Sequence, residues 1–225
     1  MKSITAFKPL EEILKSLGKA KNVYIAGCGT CPAMMKTGGL AEVLAMRDQL
    51  ETNGKKVTGH TVIPVACEPL SYEARKQLAA GLAKAEAVLV MSCSYGIITV
   101  GDYTDLPVLP ALNTLFTGRE GEPGLFIEEC RQCGDCVLGR TGGICPVTRC
   151  AKSLFNGPCG GSVAGKCEID PKIPCAWQQI HDRLKALGRM DLLYEIEPIK
   201  DWSSSWEGGP RRVEIPPQEL GMKTG

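Results

Sequence analysis

Residues 22–32 read N-V-Y-I-A-G-C-G-T-C-P, a short apolar run that breaks into a glycine turn carrying two cysteines. An apolar run this short, closed by glycine and proline, reads as a buried strand rather than a helix. The figure recurs at residues 87–93, A-V-L-V-M-S-C, and again over 55–67, a β-rich stretch ending in P-V-A-C. Between these runs the spacing turns helical, over 38–53 with Gly54 as a stop and over 71–84 opening on S-Y-E-A. Upstream, Leu10, Ile13, Leu14 and Leu17 lie on one helical face between Pro9 and Gly18. Downstream, residues 106–114 read as a further strand.

Strands alternating with helices predict a small parallel sheet covered on both faces, an α/β fold of the Rossmann/flavodoxin-like kind. Right-handed crossovers bring the carboxyl ends of its strands to one edge, where open α/β sheets bind their ligands. Cys28, Cys67 and Cys93 each end a strand, and Cys31 follows Cys28 by one turn. Four thiols are therefore expected at the functional edge, as the ligands of one cluster. The alternative is a set of separate buried or redox-active thiols. The turn G-C-G-T-C-P is not a dinucleotide fingerprint, because Pro32 stands where the third glycine belongs, and no Walker lysine follows.

The polar stretch T-G-R-E-G-E-P-G, 117–124, is expected to separate an α/β domain over 1–116 from a second domain over 125–225. Eight of the twelve cysteines fall between Cys130 and Cys175, among glycines and prolines and few large apolar residues. Such a segment cannot close on a core of its own, so metal or disulfides must hold it. Cys130, Cys133 and Cys136 form C-x2-C-x2-C, and Cys145 is followed by Pro146. Thiolates at that spacing reach three corners of a [4Fe–4S] cubane, and a distant cysteine before proline closes the fourth. The gap of eight residues before Cys145 is longer than the three common in ferredoxins. Cys150, Cys159, Cys167 and Cys175 remain as a tetrad without a knuckle pair, which suits zinc or a further cubane. Ligands can also be traded between the two sets, Cys175 closing the first and Cys145 the second. This second domain is expected to be irregular and metal-binding, ending in a helix over 176–188 and a tail whose tryptophans pack on a partner or on the metal domain itself.

Composition bounds the rest. Apolar residues make up 44% of 225, enough for a core, and the net charge of +1 gives no electrostatic case for nucleic acid. No signal peptide and no apolar run of membrane-spanning length is visible, so a cytoplasmic location without a membrane span is expected. His60 and His181 lack ligand neighbours and read as ordinary residues, and Glu128, Glu129 and Asp135 as solvated charges; Glu168 and Asp170 read the same way, although K-C-E-I-D-P lies within the metal region.

The runs F-N-G-P-C-G-G, G-K-C-E-I-D and P-C-A-W-Q-Q-I-H-D-R-L, with D-W-S and G-G-P-R-R-V in the tail, resemble one family over nearly the whole chain. It is the cysteine-rich companion subunit of bacterial methylenetetrahydrofolate reductase, also described as that enzyme's C-terminal or zinc-binding domain. The resemblance implies a partner that is a flavin-containing catalytic subunit, a barrel holding FMN and the folate, and a place in one-carbon metabolism such as the methyl branch of the acetyl-CoA (Wood–Ljungdahl) pathway. A flavin barrel needs about 250 residues, which this chain cannot spare. The expectation is an electron-transfer subunit with two [4Fe–4S] clusters, a third site for a cluster or for zinc, FMN on the partner, and an upstream electron-donor protein. Folate reduction by this chain alone is not expected. A structural zinc docking subunit and an independent thiol enzyme using Cys28 and Cys31 are the competing readings.

Overall fold

The computed structural model describes residues 2–213, which divide into two compact units meeting between Ile127 and Glu128. In the first unit the order is β1 (Lys2–Phe7), α1 (Leu10–Leu17), β2 (Asn22–Cys28), α2 (Cys31–Met34), α3 (Leu40–Thr52), β3 (Lys56–Ile63), α4 (Tyr72–Leu82), β4 (Ala87–Met91), α5 (Ser94–Gly101), β5 (Val108–Pro110), β6 (Leu112–Glu122) and β7 (Leu125–Ile127). Four of these strands form the expected parallel sheet, in the order β3-β2-β4-β5. The chain thus moves outward from β2 to β3 and then returns past it to β4. The reversal of direction opens a crevice beyond the carboxyl ends of β2 and β4, the switch point of this class of sheet.

Both faces of the central strands β2 and β4 are buried, which is why these two read as continuous apolar runs. Side chains alternate across it: Val23 and Ile25 join Leu89 and Met91 against Ile13, Val43, Met46 and Leu50, while Tyr24 and Ala26 join Val88 and Val90 against Leu78, Leu82 and Val100. Each large side chain so buried contributes about 1.5–3 kcal/mol. α4 starts as its sequence predicts, the Ser71 hydroxyl accepting the Ala74 N–H at 3.2 Å.

Two features differ from expectation. The run 106–114 is two strands in two sheets: β5 ends at Pro110, and after Ala111 the chain enters β6, the middle strand of an antiparallel sheet β1-β6-β7. The expected linker, 117–124, mostly continues that strand, since Lys2 pairs with Gly118 and Arg119 with Ile127. The break in the chain therefore falls at 127/128, not within 117–124.

The second unit is irregular, as expected of a cysteine-rich segment. It holds the one-turn helix α6 (Pro146–Arg149), α7 (Ala176–Ala186) and short 3₁₀ turns at Met190–Leu193, Trp202–Ser204 and Trp206–Gly208. Trp177, Ile180 and Leu184 on one face of α7 are its buried apolar centre, with Ile144, Leu154 and Leu192 against them.

Candidate metal centres

At the sheet edge, Cys28 is the last residue of β2, Cys93 stands at the N-terminal cap of α5 and Cys31 opens α2. Cys67 sits in the turn after β3 and is exposed, whereas Cys28 and Cys93 are buried. The glycine turn is drawn tightly into the crevice: Cys28 N–H donates to the Gly38 carbonyl at 2.9 Å and Gly29 N–H to the Ile63 carbonyl at 2.8 Å. A Cβ on Gly38 would lie 2.0 Å from the Met91 carbonyl oxygen, so only glycine lets this loop reach the end of β4. Burial pushes the Cys67 thiol up, and nearby Cys93 and Cys28 push it further, against a backbone hydrogen bond that lowers it. Cys67 is thus within electrostatic reach of both Cys28 and Cys93, and a cation bound there would offset the charge of their thiolates. Beside them the fully buried Ser92 hydroxyl has no hydrogen-bond partner, and Thr30 Oγ1 lies 3.2 Å from Cys28 Sγ.

The loop Cys130–Cys136 is wound by two left-handed residues, Gln132 (φ 55°) and Gly134 (φ 87°), on either side of Cys133. Gln132 N–H donates to Cys130 Sγ at 3.3 Å, and Thr148 Oγ1 donates to Cys145 Sγ at 3.6 Å. Hydrogen bonds to sulfur of this kind tune the potential of an iron–sulfur centre held there. The loop is fastened from residues 200–211. Lys200 Nζ donates to the Asp135 carbonyl at 2.7 Å, Ser204 Oγ to the Cys133 carbonyl at 3.1 Å and an Arg211 guanidinium N–H to the Gln132 carbonyl at 2.7 Å. Asp135 is thus held rather than merely solvated, and Glu129 pairs with Arg149 at 3.4 Å.

Cys150, Cys159, Cys167 and Cys175 line one cavity of about 20 Å³ together with Arg149, Lys152, Glu168 and Trp177. Cys175 caps α7. Burial acts to raise its thiol, but the N–H groups of Gln178 and Trp177 and the Ser162 hydroxyl together bring it below the usual range. Gly161 N–H donates to Cys159 Sγ at 3.4 Å. Glu168, read from sequence as a solvated charge, instead pairs with Lys152 and lies 3.5 Å from Cys159 Sγ. The Lys152 ammonium is held above its usual range, first by Glu168 and then also by Cys159 and Cys167. A cation so placed offsets the charge of a thiolate set.

All twelve cysteines are free thiols. Among the described residues no three His, Cys, Asp or Glu side chains close on a single point as a finished ligand set. The donor set is nevertheless of the type thiophilic metals take in three places: cysteines near an orphaned hydroxyl at the sheet edge, sulfurs accepting hydrogen bonds in and beside a left-handed loop, and four cysteines lining one small cavity. Sequence reasoning missed Lys200, Ser92, Lys152 and Arg149, which carry no spacing signal.

The sequence offers Trp177, Trp202 and Trp206 as anchors of a partner interface over 176–217, or of packing on the metal domain itself; Trp177 is buried, its Nε1–H donating to the Leu154 carbonyl at 2.9 Å. Trp202 packs edge-on to Phe155, with centroids 6.2 Å apart, so this part of the tail covers its own unit. Residues 214–217 lie outside the described residues.

The first unit carries a parallel α/β sheet with cysteines at its switch point, and the second is a cysteine-rich unit with little regular structure. Residues 109–203 match the profile of a family described as methylene-tetrahydrofolate reductase C terminal, a similarity that takes in the whole cysteine region. No curated protein and no solved structure matches the chain. No helix among the described residues is long and apolar enough to cross a membrane.

Proposed function

We propose that this chain is the iron–sulfur electron-transfer subunit of a methylenetetrahydrofolate reductase complex. In this reading it is cytoplasmic and passes electrons to the flavin of a separate catalytic subunit in one-carbon metabolism. The observation that carries the proposal is the grouping of thiols at two unlike scaffolds, a sheet switch point and a glycine-wound loop, within a chain whose cysteine region resembles that reductase family. Cys28, Cys31, Cys67 and Cys93 would hold one [4Fe–4S] cluster, and Cys130, Cys133, Cys136 and Cys145 another. Bound there, iron–sulfur centres supply one-electron transfer at potentials set by their surroundings. The chain's own part is to bind, orient and shield. Thr30 lies within hydrogen-bond reach of Cys28 at the sheet edge, Gln132 and Thr148 donate to sulfur at the loop, and glycine turns bring the backbone close at both.

One observation favours a mixed metal content, and with it part of the docking reading. The cavity of Cys150, Cys159, Cys167 and Cys175 measures about 20 Å³, close to a single water-sized sphere and far from a cubane. A tetrahedral zinc ion fits four thiolates there, with Lys152 and Arg149 offsetting charge.

Iron, sulfide and zinc analysis of the anaerobically purified chain tests this, together with folate reduction by the chain alone and with its flavin-bearing partner. The expected result is iron matched by sulfide plus about one zinc per chain, no turnover alone, and turnover with the partner. Zinc without iron would replace the electron carrier by a structural docking subunit. Turnover by the lone, flavin-free chain would make it the catalyst.

A further inference from the structure

Lys200 is the one charged residue that is buried among the described residues, its side chain 2% exposed. An ammonium withdrawn from water is costly unless opposite charge or good acceptors meet it. Here it finds the Asp135 carbonyl at 2.7 Å, the Asp135 carboxylate at 3.4 Å, and the faces of Phe155 and Trp202, with ring centroids at 5.9 and 5.6 Å. The carboxylate is 62% exposed and therefore only a partial counter-charge. If the site served packing alone, an apolar residue of similar size would fill the gap between the two rings without the desolvation cost. Asp135 lies between Cys133 and Cys136, so the ammonium is held in a low-dielectric pocket against the middle of the cysteine loop.

We propose that Lys200 is a positioning residue that raises the reduction potential of the centre held by Cys130, Cys133 and Cys136. This rests on the reading that iron binds there. Its fixed positive charge stabilises the centre after it gains an electron, because the added negative charge is felt strongly where water is excluded. The two aromatic faces keep the ammonium on the loop and away from solvent. Ser204 and Arg211 complete the fastening, so that the charge and the sulfurs move as one body.

The test is a redox titration of the anaerobic full chain, with dithionite as reductant, followed by electron paramagnetic resonance. The wild type is compared with Lys200→Met, Lys200→Gln and Lys200→Arg, and Cys133→Ala identifies the signal that belongs to the loop. The two neutral variants should lower the midpoint of that signal and leave the sheet-edge signal in place, while Lys200→Arg stays near wild type. Loading of iron by Lys200→Arg but by neither neutral variant would support the same role. An unmoved midpoint in both neutral variants would sink it, as would an equal drop in Lys200→Arg or failure of all three to load. Wild type without iron would instead overturn the electron-transfer reading itself. Iron present with an unmoved potential removes only the role of Lys200.

Discussion

Cys175 and Cys67 show how position alone gives the same side chain opposite tendencies. At the cap of α7, Cys175 receives the N–H groups of Gln178 and Trp177 and the Ser162 hydroxyl, which outweigh burial and lower its ionisation. Cys67, in the turn after β3, is pushed up by burial and by the neighbouring thiols of Cys93 and Cys28. A lowered thiol is anionic at lower pH, and only the anion is alkylated at an appreciable rate. In metal-free chain, the iodoacetamide rate at Cys175 is therefore expected to rise at lower pH than the rate at Cys67. Ser162→Ala should move the Cys175 profile toward higher pH, read by mass spectrometry of the labelled peptides. Coincident profiles for Cys175 and Cys67 would contradict the assignment.

At the scale of elements, the sheet is tied at its amino edge by one carboxylate. Glu86, just before β4, accepts the N–H of Lys21 at 2.6 Å and of Asn22 at 2.8 Å, where β2 begins. These bonds lower its pKa, the Asn22 N–H first and the Lys21 N–H next. A carboxyl lowered on folding adds stability above its ordinary pKa and loses it as pH falls through the folded value. Glu86→Gln should thus lower the denaturant midpoint at neutral pH, with the difference from wild type closing in acid. A difference that is constant with pH would mean that the charge does not contribute. The parallel sheet was legible because the apolar runs of β2 and β4 are continuous and the glycine and proline punctuation is local. Of the three cysteines expected to end strands only Cys28 does, Cys67 and Cys93 falling in the segments just after β3 and β4. The antiparallel sheet was not legible. Lys2 finds Gly118 across more than a hundred residues, and T-G-R-E-G-E has no strand signal until β1 and β7 flank it. Lys200 was equally hidden, since its burial comes from Phe155 and Trp202, neither of which sits in a periodic segment.

Across the whole molecule, stability is divided unequally. Residues 2–127 bury two apolar layers, one on each face of the sheet, whereas the buried cluster of the second unit is Trp177, Ile180 and Leu184, with Val137, Val147 and Ala176 buried besides. In the metal-binding reading proposed above, a unit so poorly supplied with core would gain much of its folding free energy from metal. Stripping the chain with a strong chelator under reducing conditions should open residues 128–213 to protease and leave a resistant fragment ending near residue 127. Equal resistance before and after stripping would show that the second unit folds without metal. The fastening of the cysteine loop also has a consequence in time. Cys133 precedes Ser204 by 71 residues and Gln132 precedes Arg211 by 79, so a ribosome releases the loop well before its fasteners. A nascent chain therefore offers open thiols first and a closed loop later, and a metal centre of the kind proposed above would enter most easily before the last of those residues emerges.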